Sequence, residues 1–302
     1  MSSGKEHQVR DSTVVVRPSP AVLYREDSFH AADGLRLHVR TWLPPGGWRM
    51  AMVLVHGLTE HGGRYADFAA ELNRHGGAVY ALDLRGHGRS EGRRAAIRRF
   101  EQYLDDLEAF LGQVRSQTPD TPLFLFGHSM GGAIVTWLAI ARQPPIQGLI
   151  VSAAALRVSG GLCPLLRRLA PLGSLLAPWL RLVRLGSSML SRDARAVREF
   201  RDDPLVFHGR LTTRIGAEIF RAGSRIRGRM EEVRLPLLVL HGTADALTDP
   251  EGSRELYLHA STPDKTLRLY DGFYHDLLHD VDKDRVVTDI VAWLEARVGS
   301  RK

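Results

Sequence analysis

The most chemically loaded stretch of the chain is Gly127-His128-Ser129-Met130-Gly131. A serine between two glycines, directly after the apolar run Leu123 to Phe126 and before a helical one, fits a sharp strand-to-helix turn. The small flanking residues permit the turn, which lifts the Ser129 hydroxyl clear of the sheet. The helix start that follows offers backbone N–H groups to developing negative charge. A serine hydroxyl is a poor nucleophile near neutral pH, so acyl transfer through it requires a histidine base oriented by a carboxylate. On this kind of scaffold the chain order is serine, acid, histidine. The acid is Asp245, in His241-Gly242-Thr243-Ala244-Asp245, with Asp249 as the alternative. His275 follows the last candidate strand across Asp271-Gly272-Phe273-Tyr274 and is the expected base. Its rival, His279, stands four residues on and reads as solvated or as a substrate-pocket residue. His56-Gly57-Leu58 closes the first candidate parallel strand. An oxyanion hole needs one N–H from the residue after the nucleophile and one from this loop, which nominates Met130 and Leu58.

These groups must be positioned by regular elements, and the apolar pattern supplies them. Two alternating runs from Asp27 to Trp42 flank Asp33-Gly34 and predict a β-hairpin with a tight turn. Short strands follow at Met52 to His56 and Ala78 to Leu82, both apolar runs, and at Leu123 to Phe126, Gly148 to Ser152, Leu237 to His241 and Thr266 to Tyr270. Between them lie helical stretches at Arg64 to His75, Phe100 to Val114, Ile134 to Ala141, Glu251 to His259 and Arg285 to Arg297. Strands apolar on both faces and alternating with helices predict a mostly parallel sheet flanked by helices, an α/β fold. The rhythm breaks at 156–233, where no strand is evident and Pro, Gly, Leu and Arg dominate. That stretch is expected to be a helical cap inserted into a single domain spanning 1–302.

From about His30 to Arg297 the chain resembles the monoacylglycerol lipase and lysophospholipase branch of the α/β-hydrolases. The resemblance rests on Val55-His56-Gly57 with Glu60-His61-Gly62-Gly63-Arg64-Tyr65, on Asp83-Leu84-Arg85-Gly86-His87-Gly88-Arg89-Ser90-Glu91-Gly92, and on Gly127 to Gly132. Asp203-Pro204-Leu205, His241 to Asp245 and Tyr270 to His275 complete it. It implies an α/β-hydrolase fold, a small lipid ester as substrate and release of a fatty acid through an acyl-Ser129 intermediate. It further implies that Glu60 and Arg64 line the polar end of the pocket and meet the alcohol part of a glycerol ester. Their alternative is to cap and pair on the helix beginning near Arg64. Members that bind glycerol can carry a histidine three residues beyond the catalytic one; here that position is Leu278, and His279 comes one later. The dense Asp83 to Ser90 stretch reads as structural, with glycines bending the chain and Asp and Arg side chains tying the loop down.

The same triad would suit a cofactor-free haloperoxidase or a C–C bond hydrolase. Haloalkane dehalogenases and epoxide hydrolases need an aspartate where this chain has Ser129. A non-catalytic binding protein of this fold would be expected to lack one member of the triad. With no cysteine cluster, no H-E-x-x-H and no glycine-rich lysine loop, neither metal nor cofactor is expected. The net charge of +7 (41 basic, 34 acidic) comes with no nucleic-acid recognition motif, so no nucleic-acid partner is expected. A lone cysteine, Cys163, a polar N-terminus and the lack of a long apolar stretch suit a cytoplasmic protein. Residues 160–186 hold ten leucines, Trp179 and four arginines but no acid. That composition predicts a membrane-facing lid in peripheral contact with lipid, broken into short pieces by Pro164, Pro171 and Pro178. The alternative is an ordinary cap whose leucines pack onto the core.

Overall fold

The computed structural model describes residues 23–157 and 177–299. Cys163, the polar N-terminus and the 160–176 part of the leucine-rich segment lie outside them. Ten strands and seven α-helices occur among the described residues. An eight-stranded sheet has the order β1 (Leu23–His30), β2 (Arg36–Leu43), β4 (Gly77–Leu82), β3 (Met50–Val55), β5 (Leu123–His128), β6 (Gly148–Ser152), β9 (Leu237–Gly242) and β10 (Lys265–Tyr270). β1 and β2 are antiparallel, as are β2 and β4; every other neighbouring pair is parallel. The expected α/β-hydrolase arrangement is therefore present. The hairpin is wider than a two-residue turn: His30 pairs with Arg36, and Ala31 N–H donates to Leu35 O at 2.8 Å across the loop.

β3, β4, β5 and β6 are buried along their whole length, which is why their sequences read as unbroken apolar runs. One side is covered by α2 (Glu101–Gln117) and α3 (Met130–Ala141), through Tyr103, Leu104, Leu107, Phe110, Leu111 and Val114 and through Ile134, Trp137 and Leu138. The other side carries α1 (Ala66–Arg74) and α7 (Lys283–Val298), with Phe68, Leu72, Ile290, Trp293 and Leu294 packed on Phe124 and Phe126. α3 begins at Met130, four residues earlier than the apolar spacing alone suggests. Gly131 and Gly132, which look like breakers, lie inside it. A Cβ on Gly131 would sit 2.2 Å from Val55 O, and one on Gly132 would sit 2.7 Å from Ala154 Cβ. The helix start is thus pressed against the end of β3 and the turn after β6, and only glycine fits there.

Between β6 and β9 the described chain leaves the main sheet. This segment holds α4 (Ala194–Asp202), α5 (Thr213–Arg227) and a two-stranded antiparallel sheet of β7 (Arg181–Val183) and β8 (Leu211–Thr212). The small sheet corrects the expectation of no strand here. Strands of two or three residues are too short to show any period in the sequence. α6 (Pro250–His259) follows β9 and starts at an Asp249 cap with Pro250 in the first turn.

Candidate active site

Ser129 stands at φ 56° and ψ −117°, a backbone conformation that non-glycine residues seldom adopt. Such a conformation costs about 1–3 kcal/mol and persists only where the surroundings enforce it. They do so by backbone bonds to β6 and the turn after it: Ser129 N–H donates to Ser152 O at 2.9 Å, and Ala155 N–H to Ser129 O at 2.9 Å. The result aims the side chain away from the sheet at the carboxyl end of β5.

His275 Nε2 lies 2.9 Å from Ser129 Oγ, and His275 Nδ1 lies 2.7 Å from Asp245 Oδ2. These three residues come from separate loops, after β5, β9 and β10, all at carboxyl strand ends. Asp245 is fixed from below. Its Oδ1 accepts Leu247 N–H at 2.8 Å and Thr248 N–H at 3.0 Å, while Thr248 Oγ1 donates to Oδ2 at 2.7 Å. Burial opposes ionisation of Asp245, but the His275 ring and the hydrogen bond from His241 outweigh it and hold the carboxyl far below its ordinary range. Burial likewise disfavours a charged His275, yet the Asp245 carboxylate raises its pKa above that of an ordinary histidine. His128 packs its ring 4.8 Å from that of His275. Burial first, and the His275 ring second, push His128 down to about 4, so it is neutral beside the proton-carrying ring.

Asp249 is not part of this chain of contacts. It accepts Glu251 N–H at 3.0 Å as the cap of α6 and pairs with Arg157 at 3.2 Å. His279 is half-buried, and both its ring nitrogens are engaged within the protein: Nδ1 meets Asp276 Oδ1 at 2.8 Å and Nε2 meets Arg64 O at 2.9 Å. The ring also stands edge-on to Tyr65 at 5.6 Å.

Glu60 and Arg64 turn out to be internal struts. Glu60 Oε1 accepts Gly57 N–H at 2.6 Å and the Tyr65 hydroxyl at 2.9 Å, and its Oε2 pairs with Arg64. The other Arg64 nitrogen reaches Asp276 Oδ2 at 3.0 Å. Burial raises the cost of ionising Glu60, but the Arg64 guanidinium, and then the His128 ring, keep its pKa below the ordinary value. The i,i+4 pairing expected of these two residues is thus present, extended by a contact to Asp276 that lies 212 residues away in sequence. Glu60 sets the loop that carries Leu58. A Cβ on Gly57 would lie 3.2 Å from Ser129 Cβ, so this loop and the serine turn are in close contact. Among the described residues no hydrogen bond occupies the N–H of Leu58 or of Met130, the first residue of α3.

The Asp83 to Ser90 loop is held as a structural unit. Asp83 is completely buried, pairs with Arg40 and accepts Gly62 N–H at 2.8 Å and Arg89 N–H at 2.9 Å. Arg85 bridges Asp106 and Asp33.

Two further anchors join the segment between β6 and β9 to the site loops. Phe207 N–H donates to Thr59 O at 2.8 Å, and Asp203 meets His61 Nε2 at 2.8 Å. On the other flank Asp276 N–H donates to Leu190 O at 2.7 Å. There Arg192 bonds Asp280 Oδ1 at 3.0 Å and lies over the Phe273 ring at 4.2 Å. Asp280 Oδ2 in turn accepts Tyr274 N–H at 2.9 Å, next to His275. Sequence reasoning missed Asp276, Asp280 and Arg192, because each acts through a partner far along the chain.

Comparison with known proteins bears directly on this arrangement. The family model described as serine aminopeptidase, S33 (Hydrolase_4) matches residues 47–282. The chain belongs to this family. A hydrolase of the α/β-hydrolase fold, it is 33% identical over 269 residues to a monoacylglycerol lipase of Mycolicibacterium smegmatis, covering 89% of this chain and 96% of that protein. It is 35% identical over 270 residues to the monoglyceride lipase of Rattus norvegicus, covering 88% of this chain and 89% of that protein. Among solved structures, the monoacylglycerol lipase of Paleococcus ferrophilus superposes with a TM-score of 0.77 at 32% identity, covering 91% of this chain and 99% of that one.

Proposed function

We propose that this hydrolase releases one fatty acid from a monoacylglycerol-type ester through an acyl-Ser129 intermediate. The observation that carries the reading is the unbroken run Ser129 Oγ, His275 Nε2, His275 Nδ1, Asp245 Oδ2, with contacts of 2.9 and 2.7 Å. His275 Nε2 takes the Ser129 proton as Oγ attacks the ester carbonyl, and Asp245 stabilises the imidazolium that forms. The negative charge arising on the carbonyl oxygen is met by the N–H groups of Leu58 and Met130. Collapse expels the alcohol, which leaves with the proton from His275 and yields the acyl-enzyme. Water, deprotonated by His275, then attacks the acyl carbon, and Ser129 leaves with the proton as the fatty acid departs.

The lipase relatives support an ester rather than the peptide that the family's description suggests. In this reading the 156–233 segment is a cap, resting on Thr59 and His61 on one side and on the His275 loop on the other. Glu60 and Arg64 act by holding Gly57 and hence Leu58, since their polar atoms are engaged internally. An apolar cleft gains about 0.8 kcal/mol for each methylene it buries, so activity should rise with acyl length until the cleft is filled. Turnover of p-nitrophenyl esters from short to long chains, then of a monoacylglycerol, a lysophospholipid and triolein, tests this. The monoacylglycerol should be hydrolysed faster than triolein; an equal or faster rate on triolein would overturn the assignment.

Lipid delivery from a bilayer belongs to the same reading. Trp179, Leu180 and Leu182 are 38%, 51% and 46% exposed, and Arg181, Arg184 and Arg210 lie beside them in the sequence or across the β7–β8 pair. Among the described residues no helix is long and apolar enough to cross a membrane, so the contact would be peripheral. Trp179→Glu with Leu182→Glu should weaken binding to anionic vesicles and slow hydrolysis of aggregated substrate, while sparing a soluble short-chain ester. Unchanged vesicle affinity in the folded double variant would refute membrane contact.

A further inference from the structure

Asp245 receives one donor more than its place beside His275 explains. Besides His275 Nδ1 and Thr248 Oγ1, its Oδ2 is met at 3.1 Å by a second imidazole, His241 Nε2. His241 is fully buried at the carboxyl end of β9. Its other nitrogen, Nδ1, lies 2.7 Å from the hydroxyl of Ser253, fully buried on α6. A carboxylate oxygen only accepts, so Nε2 carries the hydrogen. The Ser253 hydroxyl is then free to donate to Nδ1. The contacts run in a line from Ser253 through His241, Asp245 and His275 to Ser129, with Thr248 Oγ1 beside both rings at 3.3 Å.

Two imidazole donors on one buried oxygen have a consequence for the base. A donor to the charged form of a carboxylate stabilises that charge, and the effect is largest where water is excluded. It also fixes the oxygen sideways. Leu247 and Thr248 N–H hold Oδ1, but Oδ2 has to stay in line with His275 Nδ1 while that ring gains and loses a proton. We propose that His241 is a positioning residue for the reaction: its Nε2–H holds Asp245 Oδ2 in line with His275 and limits how strongly the carboxylate retains the imidazolium. This rests on the Ser129, His275 and Asp245 reading above.

The groups facing His275 are Asp245 and Thr248 after β9, His128 and Ser129 at the end of β5, the adjacent Asp276, and Glu60 after β3 with Arg64 behind it. His241 itself faces Asp245, Thr248 and Ser253. Substitution at 241 leaves all of these in place, so a change in the pH profile reports the lost donor. Without it the Asp245 charge is less shared, the His275 imidazolium is held more firmly, and the acid limb of kcat/KM moves to higher pH.

The experiment compares His241→Gln, His241→Asn and His241→Phe on a soluble short-chain ester across the range in which histidine titrates. Glutamine can place an amide N–H where Nε2–H lies, whereas the shorter asparagine reaches only the Nδ1 position. His241→Phe and His241→Asn should lose about tenfold or more in kcat with KM little changed. Their acid limbs should move upward, and His241→Gln should recover both properties. If the phenylalanine variant does not fold, the Gln and Asn pair decides, with thermal melting showing both folded. Equal kcat and equal acid limbs for Gln and Asn would overturn the proposal, as would a loss confined to KM. Failure of the underlying reading is distinguishable, because the unsubstituted enzyme would then not be labelled at Ser129 by a fluorophosphonate.

Discussion

Ser129→Ala is expected to lower kcat by about six orders of magnitude, the loss seen when the nucleophile of a serine hydrolase is deleted. The size follows from the geometry, in which Oγ is the one atom that must form a bond to the acyl carbon. Stability should hardly change. The Oγ of Ser129 bonds to His275 Nε2, whereas the turn itself is held by backbone bonds to Ser152 and Ala155 that alanine retains. Alanine also suffers no more than serine from φ 56°. A fluorophosphonate should label the parent at Ser129 and leave the alanine variant unlabelled, with melting temperatures within a few degrees of each other. Activity within tenfold of the parent, or labelling at another serine, would remove Ser129 from its role. A parent enzyme that neither turns over esters nor reacts with the probe would favour the binding-protein alternative.

The placement of Ser129 and Asp245 was legible because each follows a strand with a plain apolar run, and that of His275 because it follows the next strand in the series, parallel strands bringing their carboxyl ends together. The strands at 148–152 and 237–242 could be read closely for the same reason. Legibility failed where a residue's meaning depends on a partner remote in sequence. Glu60 and Arg64 looked equally suited to a pocket or a helix pair, and only the arrival of Asp276 and the Gly57 N–H shows how their charges are used. His279 looked solvated because nothing local reveals that Arg64 O caps its outer nitrogen. The β7–β8 pair is too short to leave a period, and the start of α3 was hidden by glycines that mark close packing rather than a break. His241 was visible within its motif, but its hydrogen bond to Asp245 depends on a loop geometry that the string of letters does not encode.

Asp245→Asn should cost about four orders of magnitude in kcat, and the structure dictates why the loss is so large for an exchange of one atom. The two oxygens of Asp245 are not equivalent. Oδ1 accepts the backbone N–H groups of Leu247 and Thr248 at 2.8 and 3.0 Å, so in the variant that position must be filled by the amide oxygen. The amide NH₂ then takes the place of Oδ2, facing His275 Nδ1, because the Thr248 hydroxyl can turn to Ala153 O and an imidazole can move its hydrogen to its other nitrogen, whereas a backbone N–H cannot. Instead of accepting from Nδ1 it donates to it, and the imidazole responds by carrying its proton on Nε2. Nε2 now points an N–H at Ser129 Oγ across the 2.9 Å contact and cannot take its proton. Binding should survive, so KM should move far less than kcat. Asp249→Asn is the control: Asp249 caps α6, and asparagine caps helices as well as aspartate, so activity should stay within a fewfold of the parent. Reversal of the two effects would transfer the acid's role to Asp249. Near-parent activity in Asp245→Asn would mean that the amide had turned over, with its nitrogen set against two backbone N–H groups, an arrangement those two hydrogen bonds forbid.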